Sequence, residues 1–197
     1  MSEIYLMMNK PAGYVCSAAS DSHKTVYELL PPELQSLVKN AKRGHRLHTI
    51  GRLDAATTGL LLFTTDGMFS HKIAASGGPS RASGTTVVSK TYHATLEQEV
   101  SPAEQAQYIK LASQGLTLPP EKKAPEQQAA PATLTFIDNF NCRITVTEGK
   151  FHEVRRIFRA LGNEVKELKR IAIGKLSLPD SLKPGEYTDF SSEQILF

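Results

Sequence analysis

Asp54 is the residue whose position in the chain most clearly points to chemistry. It lies in the segment 51–58, GRLDAATT, directly before the apolar run 59–63, GLLLF. The run predicts a buried strand closed by the turn pair Asp66-Gly67, which places Asp54 in a tight turn at the rim of a sheet. A carboxylate held there on rigid backbone can meet a ligand and act as a nucleophile. The competing interpretation is a carboxylate that only caps its own turn.

A second candidate surface lies on the segment 151–161, which the spacing predicts to be a helix ended by Gly162-Asn163. One side of this helix is apolar and the other is basic. The apolar side carries Phe151, Val154, Ile157, Phe158 and Leu161, and the basic side carries His152, Arg155, Arg156 and Arg159. We expect the apolar side to pack and the basic side to contact phosphate, with a core helix whose arginines stay solvated as the alternative.

The distribution of charge favours a nucleic-acid partner more than the total does. The net charge is only +3, but nine basic and four acidic residues lie between 143 and 175. A second basic cluster precedes the Asp54 segment and comprises Lys39, Lys42, Arg43, His45, Arg46 and His48. Two basic patches that converge on one motif are suited to phosphate binding, although either alone is also compatible with a solvated surface.

Composition excludes several other classes of protein. The 197 residues are 40% apolar, yet no run approaches the ~18 apolar residues of a membrane span. The N-terminus has neither the basic start nor the apolar stretch of a signal peptide, so we expect a cytoplasmic protein. Cys16 and Cys142 are too few for a disulfide scaffold and lack metal-ligand spacing, so we expect two buried thiols and no metal site.

The remaining pattern predicts alternating strands and helices. The predicted strands are 4–8, 14–17, 59–65, 89–96, 132–137 and 141–147, and the predicted helices are 25–30, 32–38, 68–75, 102–111 and 151–161. The segment 76–84 has no apolar periodicity and is predicted to be a loop. The segment 118–131 is rich in Pro, Gln, Ala and charge, and is predicted to be an exposed connection.

Six segments, in this order, resemble motifs of the RsuA-type pseudouridine synthases, a family that modifies ribosomal RNA. They are MNKPAGYV at 8–15, GRLDAATTGLL at 51–61, KTY at 90–92, EGKFHEVRR at 148–156, RIAIG at 170–174 and LKPGEY at 182–187. Short motifs match by chance, but so many in one order rarely do. The resemblance covers nearly the whole chain.

The resemblance implies an α+β fold with a mixed, largely antiparallel sheet, flanking helices and a central cleft. It implies that residues 1–197 form a single catalytic domain without the N-terminal S4 RNA-binding domain with which many members begin. The implied reaction is isomerisation of uridine to pseudouridine in ribosomal RNA, catalysed by an aspartate with neither metal nor cofactor. The implied partner is ribosomal RNA or a ribosome-assembly intermediate, bound by a monomer away from any membrane.

The resemblance also assigns roles to individual residues. Asp54 matches the catalytic aspartate, Arg155 the cation that keeps it ionised, and Tyr92 the tyrosine that stacks on the target base. Arg52 is expected to fill the vacated stack or to hold a flanking phosphate, with a structural salt bridge as the alternative. The remaining candidates for RNA phosphates are Lys10, Lys150, His152, Arg156 and Arg159.

The sequence leaves alternatives for both the RNA substrate and the activity. The opening 8–17 is closer to the small-subunit enzymes, so 16S rRNA is the first expectation and 23S rRNA the second. A non-catalytic RNA-binding or assembly factor is the rival from another class, and a glycosidase lacks a second carboxylate in the motif. Glu153 and Thr188 stand where family members often have glutamine and arginine, which affects substrate contacts more than chemistry.

Overall fold

The computed structural model describes residues 2–39, 44–74, 87–122 and 124–196. The predicted loop 76–84 lies outside the described residues, as do Lys42 and Arg43 of the basic cluster that precedes Asp54. No helix of the described chain is both long and apolar enough to cross a membrane.

The predicted elements occur in the predicted order with changes in length, and the described chain adds seven strands and one short helix that the residue pattern did not predict. The strands are β1 Tyr5–Lys10, β2 Tyr14–Val15, β3 Lys24–Thr25, β4 His48–Ile50, β5 Thr58–Thr64, β6 Lys90–Leu96, β7 Thr117–Leu118, β8 Gln127–Gln128, β9 Thr133–Phe136, β10 Asn141–Val146, β11 Val165–Ile173, β12 Leu176–Ser177 and β13 Tyr187–Asp189. The α-helices are α1 Pro32–Lys39, α2 Gly67–Ala74, α3 Pro102–Gln114, α4 Glu153–Ala160 and α5 Glu193–Leu196. The predicted helix 25–30 is a short 3-10 helix, Val26–Leu29.

A nine-stranded sheet dominates the described part of the chain. Its order is β13-β1-β5-β11-β6-β10-β9, with β4 also paired to β5 and β12 to β11. Within this sheet the β5–β11 pairing is parallel and the other pairings are antiparallel. The prediction of a mixed, largely antiparallel sheet with flanking helices is therefore confirmed.

Strand β5 is buried on both of its faces, which anchors the Asp54 turn that precedes it. Leu61 and Phe63 pack into one apolar cluster, with β1 and the segment 26–38. Leu60 and Leu62 pack into another, with α2 and α5. Because successive side chains of a strand point to opposite faces, one run of apolar residues serves both clusters.

The two halves of the sheet meet where β5 lies beside β11. Gly59 opens β5 with φ +96°, and a Cβ there would lie 2.2 Å from the carbonyl oxygen of Arg170 on β11. Only glycine permits this approach and this backbone conformation. Tyr92 on β6 packs against the apolar clusters of both halves, so it lies at the same junction.

The segment 118–131 is largely exposed or half-buried, as its composition predicts, but it is more ordered than a plain connection. Strands β7 and β8 pair as a short antiparallel ribbon, and Leu118 and Ala129 are buried in the cluster that also holds α4. Two other local predictions, the cap of α3 and the state of the cysteines, are confirmed. Ser101 begins α3 with a reciprocal capping box to Glu104, and Cys16 and Cys142 are free buried thiols.

Candidate active site

The turn that carries Asp54 is held from below by Lys10. The Lys10 side chain is fully buried, and its Nζ donates hydrogen bonds to the carbonyls of Pro11 (3.0 Å), Ala55 (3.2 Å) and Thr57 (2.8 Å). Burial lowers the pKa of Lys10, while the charges of Cys16 and Asp54 oppose that shift. The prediction that Lys10 contacts phosphate is therefore wrong, because its three donors are used to fix the turn.

The Asp54 carboxylate faces an open cleft of about 550 Å³, a volume typical of small-molecule and nucleotide pockets. Six parts of the chain line it: the segment 15–17, the turn before β5, the end of α2 at Ala74, strand β6, the segment 149–155 and strand β11. The charged or ionisable lining residues that bear on the chemistry are Arg52, Asp54, Lys90, Tyr92, Lys150, His152, Glu153, Arg155 and Arg170. The cleft therefore brings together all three predicted catalytic residues, although these are far apart in the sequence.

The ion pair that Asp54 forms among the described residues is with His152, not with Arg155. His152 Nε2 lies 3.4 Å from Asp54 Oδ1, and Thr57 Oγ1 lies 3.5 Å from Asp54 Oδ2. Arg155 Nη1 instead donates to the carbonyl of Val165 at 2.8 Å. In the described chain Arg155 therefore forms no ion pair with Asp54 within 4 Å, because its guanidinium is tethered to β11 at the cleft wall. Its role as the cation that keeps Asp54 ionised stays a prediction.

Tyr92 stands where the predicted role requires an aromatic ring. It is half-buried, it lines the cleft with Asp54, and it packs against both halves of the core. Such packing holds the ring in place, and rings of this kind stack on nucleobases. Its contact with a target base remains a prediction.

Arg156 has a structural role instead of the predicted contact with phosphate. Its side chain is completely buried. The guanidinium donates to the carbonyls of Pro119 (2.9 Å), Pro125 (2.7 Å), Phe151 (3.3 Å) and Leu118 (3.4 Å). The prediction is wrong because the β7–β8 ribbon covers this side of α4, which periodicity alone assigns to solvent.

The other predicted phosphate ligands are partly engaged with carboxylates. Lys150 forms an ion pair with Glu148. Arg159 pairs with Glu164 at 2.9 Å and lies 3.5 Å from Glu121, and its hydrogen bond to Glu164 raises the pKa of Arg159. Arg52 is exposed at the cleft and has no carboxylate within 4 Å in the described chain.

Three further charged residues, Lys90, Glu153 and Arg170, line the cleft and were not predicted to be site residues. Arg170 is only 3% exposed, its Nε donates to the carbonyl of Leu60 at 2.8 Å, and its Nη2 is buried without a partner. Burial lowers the pKa of Lys90, and the charge of Arg170 adds to that shift. Burial, followed by the charge of Glu148, raises the pKa of Glu153 to about 7. Position within the RIAIG motif was the one sequence signal for Arg170.

The arrangement combines an anchored carboxylate, an aromatic ring and several cations in one cleft. A carboxylate in such a place can serve as a nucleophile, and the surrounding cations offset the cost of bringing it near a polyanion. Within the described residues, no group of three or more His, Cys, Asp or Glu side chains has the arrangement of a metal site.

Comparison with known sequences gives a consistent result. The chain matches the family model described as RNA pseudouridylate synthase over residues 4–160. It is 40% identical over 191 residues to the ribosomal small subunit pseudouridine synthase A of Salmonella typhimurium (strain LT2), covering 97% of this chain and 72% of that protein. The protein of the same name from Escherichia coli (strain K12) is 39% identical, with the same shares covered.

Solved structures agree with the sequence matches. A crystal structure described as pseudouridylate synthase superposes with a TM-score of 0.79 at 36% identity, covering 98% of this chain and 73% of that one. The archaeal box H/ACA sRNP Nop10-Cbf5 complex, at 16% identity and a TM-score of 0.56, shares the fold alone and covers 92% of this chain and 51% of that one. The match of the family model and the extent of these identities lead to one conclusion: this chain belongs to the RNA pseudouridylate synthase family.

Proposed function

We propose that this protein converts a uridine of 16S ribosomal RNA to pseudouridine, with Asp54 as its catalytic carboxylate. The observation that carries the proposal is the position of Asp54, fixed by Lys10 at the rim of a cleft that also holds Tyr92 and Arg155. The small-subunit assignment rests on the relatives named ribosomal small subunit pseudouridine synthase A. We further propose that residues 1–197 act as one catalytic domain, as a monomer in the cytoplasm.

The reaction needs neither an oxidant nor an atom from outside. The bond from ribose C1′ to base N1 breaks, the base turns, a bond forms from C1′ to C5, and the C5 proton leaves while N1 gains one. Asp54 acts either by attacking the base or by assisting departure at the sugar. In both cases the target uridine must first leave its stack, and Tyr92 offers a ring on which the displaced base can lie.

The choice of RNA is tested by tritium release from rRNA labelled at uridine C5, under single-turnover conditions with saturating enzyme. The substrates are 16S rRNA, 16S rRNA partly assembled with small-subunit proteins, and 23S rRNA. We expect release of about one tritium per RNA from a 16S substrate and none from 23S rRNA, because one flipped nucleotide occupies the cleft. Release from 23S rRNA alone contradicts the small-subunit assignment, and binding without release from any RNA supports a non-catalytic factor.

We also propose that Arg52 binds an RNA phosphate at the cleft rim. It is exposed and unpaired by carboxylates in the described chain, whereas Arg159 is held by Glu164. Arg52→Ala is therefore expected to weaken RNA binding and to reduce the slope of log K against log salt by about one unit. Arg159→Ala is the matched control, with a smaller change expected. Equal slopes for wild type and Arg52→Ala in salt-titrated binding contradict the contact.

A further inference from the structure

We propose that Glu121 and His152 are positioning residues of this active site: Glu121 holds the His152 ring, and His152 orients and neutralises the Asp54 carboxylate. This inference rests on the proposed function and extends it to a segment outside the motifs that suggested the family. It gives His152 a role in the chemistry in place of the expected contact with phosphate.

The two ring nitrogens of His152 face two carboxylates. His152 Nε2 lies 3.4 Å from Asp54 Oδ1, and His152 Nδ1 lies 3.1 Å from Glu121 Oε1. The backbone of His152 is left-handed (φ +49°), and its ring stacks on Phe151 with a centroid distance of 3.8 Å and an interplanar angle of 17°. Ring orientation is thus set by three independent contacts.

Both ring nitrogens of His152 face carboxylates, which only accept hydrogen bonds. The Nδ1–Glu121 contact is a hydrogen bond, and the longer Nε2–Asp54 contact brings the edge of the ring to the Asp54 carboxylate without hydrogen-bond geometry. The groups that face the ring are Asp54 from the turn before β5 and Glu121 from the β7–β8 connection. Arg159 of α4 lies behind Glu121, and Lys150 and Arg155 lie along the same cleft wall.

The Glu121 carboxylate is held in its ionised form. Partial burial raises its pKa, but the hydrogen bond and charge of His152, together with the charge of Arg159, hold the pKa of Glu121 below its ordinary value. Glu121 is therefore a permanent negative partner for His152 at neutral pH. Glu121, His152 and Asp54 thus contact one another in sequence, and we call these three side chains the relay.

The buried Arg156 anchors the loop that brings Glu121 to His152. Its guanidinium binds the carbonyls of Leu118, Pro119 and Pro125, which flank Glu121 in the chain. Within this loop the backbones of Glu121 and Ala124 exchange two hydrogen bonds, of 2.9 and 2.6 Å. Arg156 and His152 lie at the same end of α4, so the helix positions the ring and anchors the loop that holds it.

The Asp54 carboxylate needs a stabilising partner when RNA is bound. RNA brings phosphates close to Asp54, and a carboxylate near other negative charges tends to take up a proton. Arg155 is tethered to the Val165 carbonyl, so His152 is the basic side chain that lies within 4 Å of Asp54 in the described structure. The other charged neighbours act at longer range.

The test compares single-turnover rates at saturating enzyme between pH 6 and pH 8.5. The variants are Glu121→Gln, His152→Asn and His152→Lys, and the matched control is Glu164→Gln, which removes a carboxylate from Arg159 without contacting His152. Glutamine can still accept the hydrogen bond from Nδ1 but lacks the charge. Asparagine tolerates the left-handed backbone and removes the ring.

We expect Glu121→Gln to be about tenfold slower than wild type at pH 8 and nearly equal at pH 6, because glutamine keeps the hydrogen bond to Nδ1 but removes the negative charge that favours a charged ring beside Asp54 at high pH. His152→Asn is expected to be slower at every pH, by about tenfold or more, with RNA affinity changed by less than about twofold. His152→Lys, which keeps a cation, is expected to recover part of the rate and to remove the fall at high pH. Glu164→Gln keeps the wild-type profile.

A second readout does not depend on turnover. In NMR titrations, the chemical shifts of the His152 ring are expected to change in Glu121→Gln and in Asp54→Asn. They are expected to match the wild type in Glu164→Gln. Wild-type activity together with identical pH profiles for Glu121→Gln and Glu164→Gln overturns the relay while leaving the proposed function intact. A wild-type protein inactive on every rRNA overturns the proposed function itself, and the NMR titration then decides the relay separately.

Discussion

Replacing Asp54 with asparagine is expected to reduce the rate of isomerisation to below about one thousandth of the wild-type rate. The amide has nearly the shape of the carboxylate and keeps its place in a turn fixed by Lys10. It cannot act as a nucleophile, however, and it carries no charge for His152 to meet. The measurement is tritium release from C5-labelled rRNA in a single turnover.

The control for this variant is Asp66→Asn at the opposite end of β5. Asp66 caps the start of α2 through the amide of Phe69 at 2.9 Å and accepts a hydrogen bond from Tyr5. Its replacement tests the effect of the same chemical change on the same strand, away from the cleft, and activity should remain. RNA affinity of Asp54→Asn should stay within about twofold of wild type. If Asp54→Asn retains about a tenth of the wild-type rate, its assigned role is wrong.

Replacing Arg156 with methionine is expected to destabilise the protein by about 3–5 kcal/mol. The change leaves up to four carbonyls without their donor, one in a fully buried hydrogen bond and three in partly buried ones. For a chain of this length, such a loss corresponds to a fall in Tm of roughly 10 °C. Thermal and urea unfolding measure it, and the free energy of unfolding should fall with little change in the slope against urea.

Arg159→Met is the matched control, because Arg159 lies on the same helix and is about one third exposed. Exposed ion pairs contribute little, so its free energy of unfolding should change by less than about 1 kcal/mol. The opposite pattern, in which Arg156→Met keeps wild-type stability and loses RNA affinity, would restore the phosphate contact that the sequence predicted for Arg156.

Short-range sequence patterns were sufficient to predict the strand and the turn around Asp54. The run 59–63 is apolar and bounded by turn residues, so its type and its burial follow from the residues themselves. The same holds for α3, where Ser101 and Glu104 form the predicted cap. In these places the interactions that decide the structure join residues close together in the sequence.

The predictions were wrong for residues whose surroundings are set by long-range packing. Periodicity assigns Arg156 to the solvent side of α4, but a ribbon formed by residues 117–128 covers that side. From the sequence, Lys10 is only a basic residue in a turn. In the folded chain, the carbonyls of residues 11, 55 and 57 surround its Nζ. Glu121 lies in a Pro-rich stretch without periodicity, and only the folded chain shows that it reaches His152.

The partner of Asp54 illustrates the same limit within the site. The motif EGKFHEVRR contains both Arg155 and His152, and a cation was expected to meet the carboxylate. Which of the two does so depends on the left-handed backbone at His152 and on the Val165 carbonyl that binds Arg155. Neither feature can be read from residue spacing.

The central claim, that this protein makes pseudouridine in small-subunit rRNA through Asp54, is tested most directly by mapping pseudouridines in cells. Ribosomal RNA is compared from cells with the gene, without it, and without it but supplied with wild-type protein or with Asp54→Asn. We expect one pseudouridine of 16S rRNA to disappear on deletion, to return with the wild-type protein, and to stay absent with Asp54→Asn. An unchanged 16S pattern after deletion, or restoration by Asp54→Asn, would contradict the account.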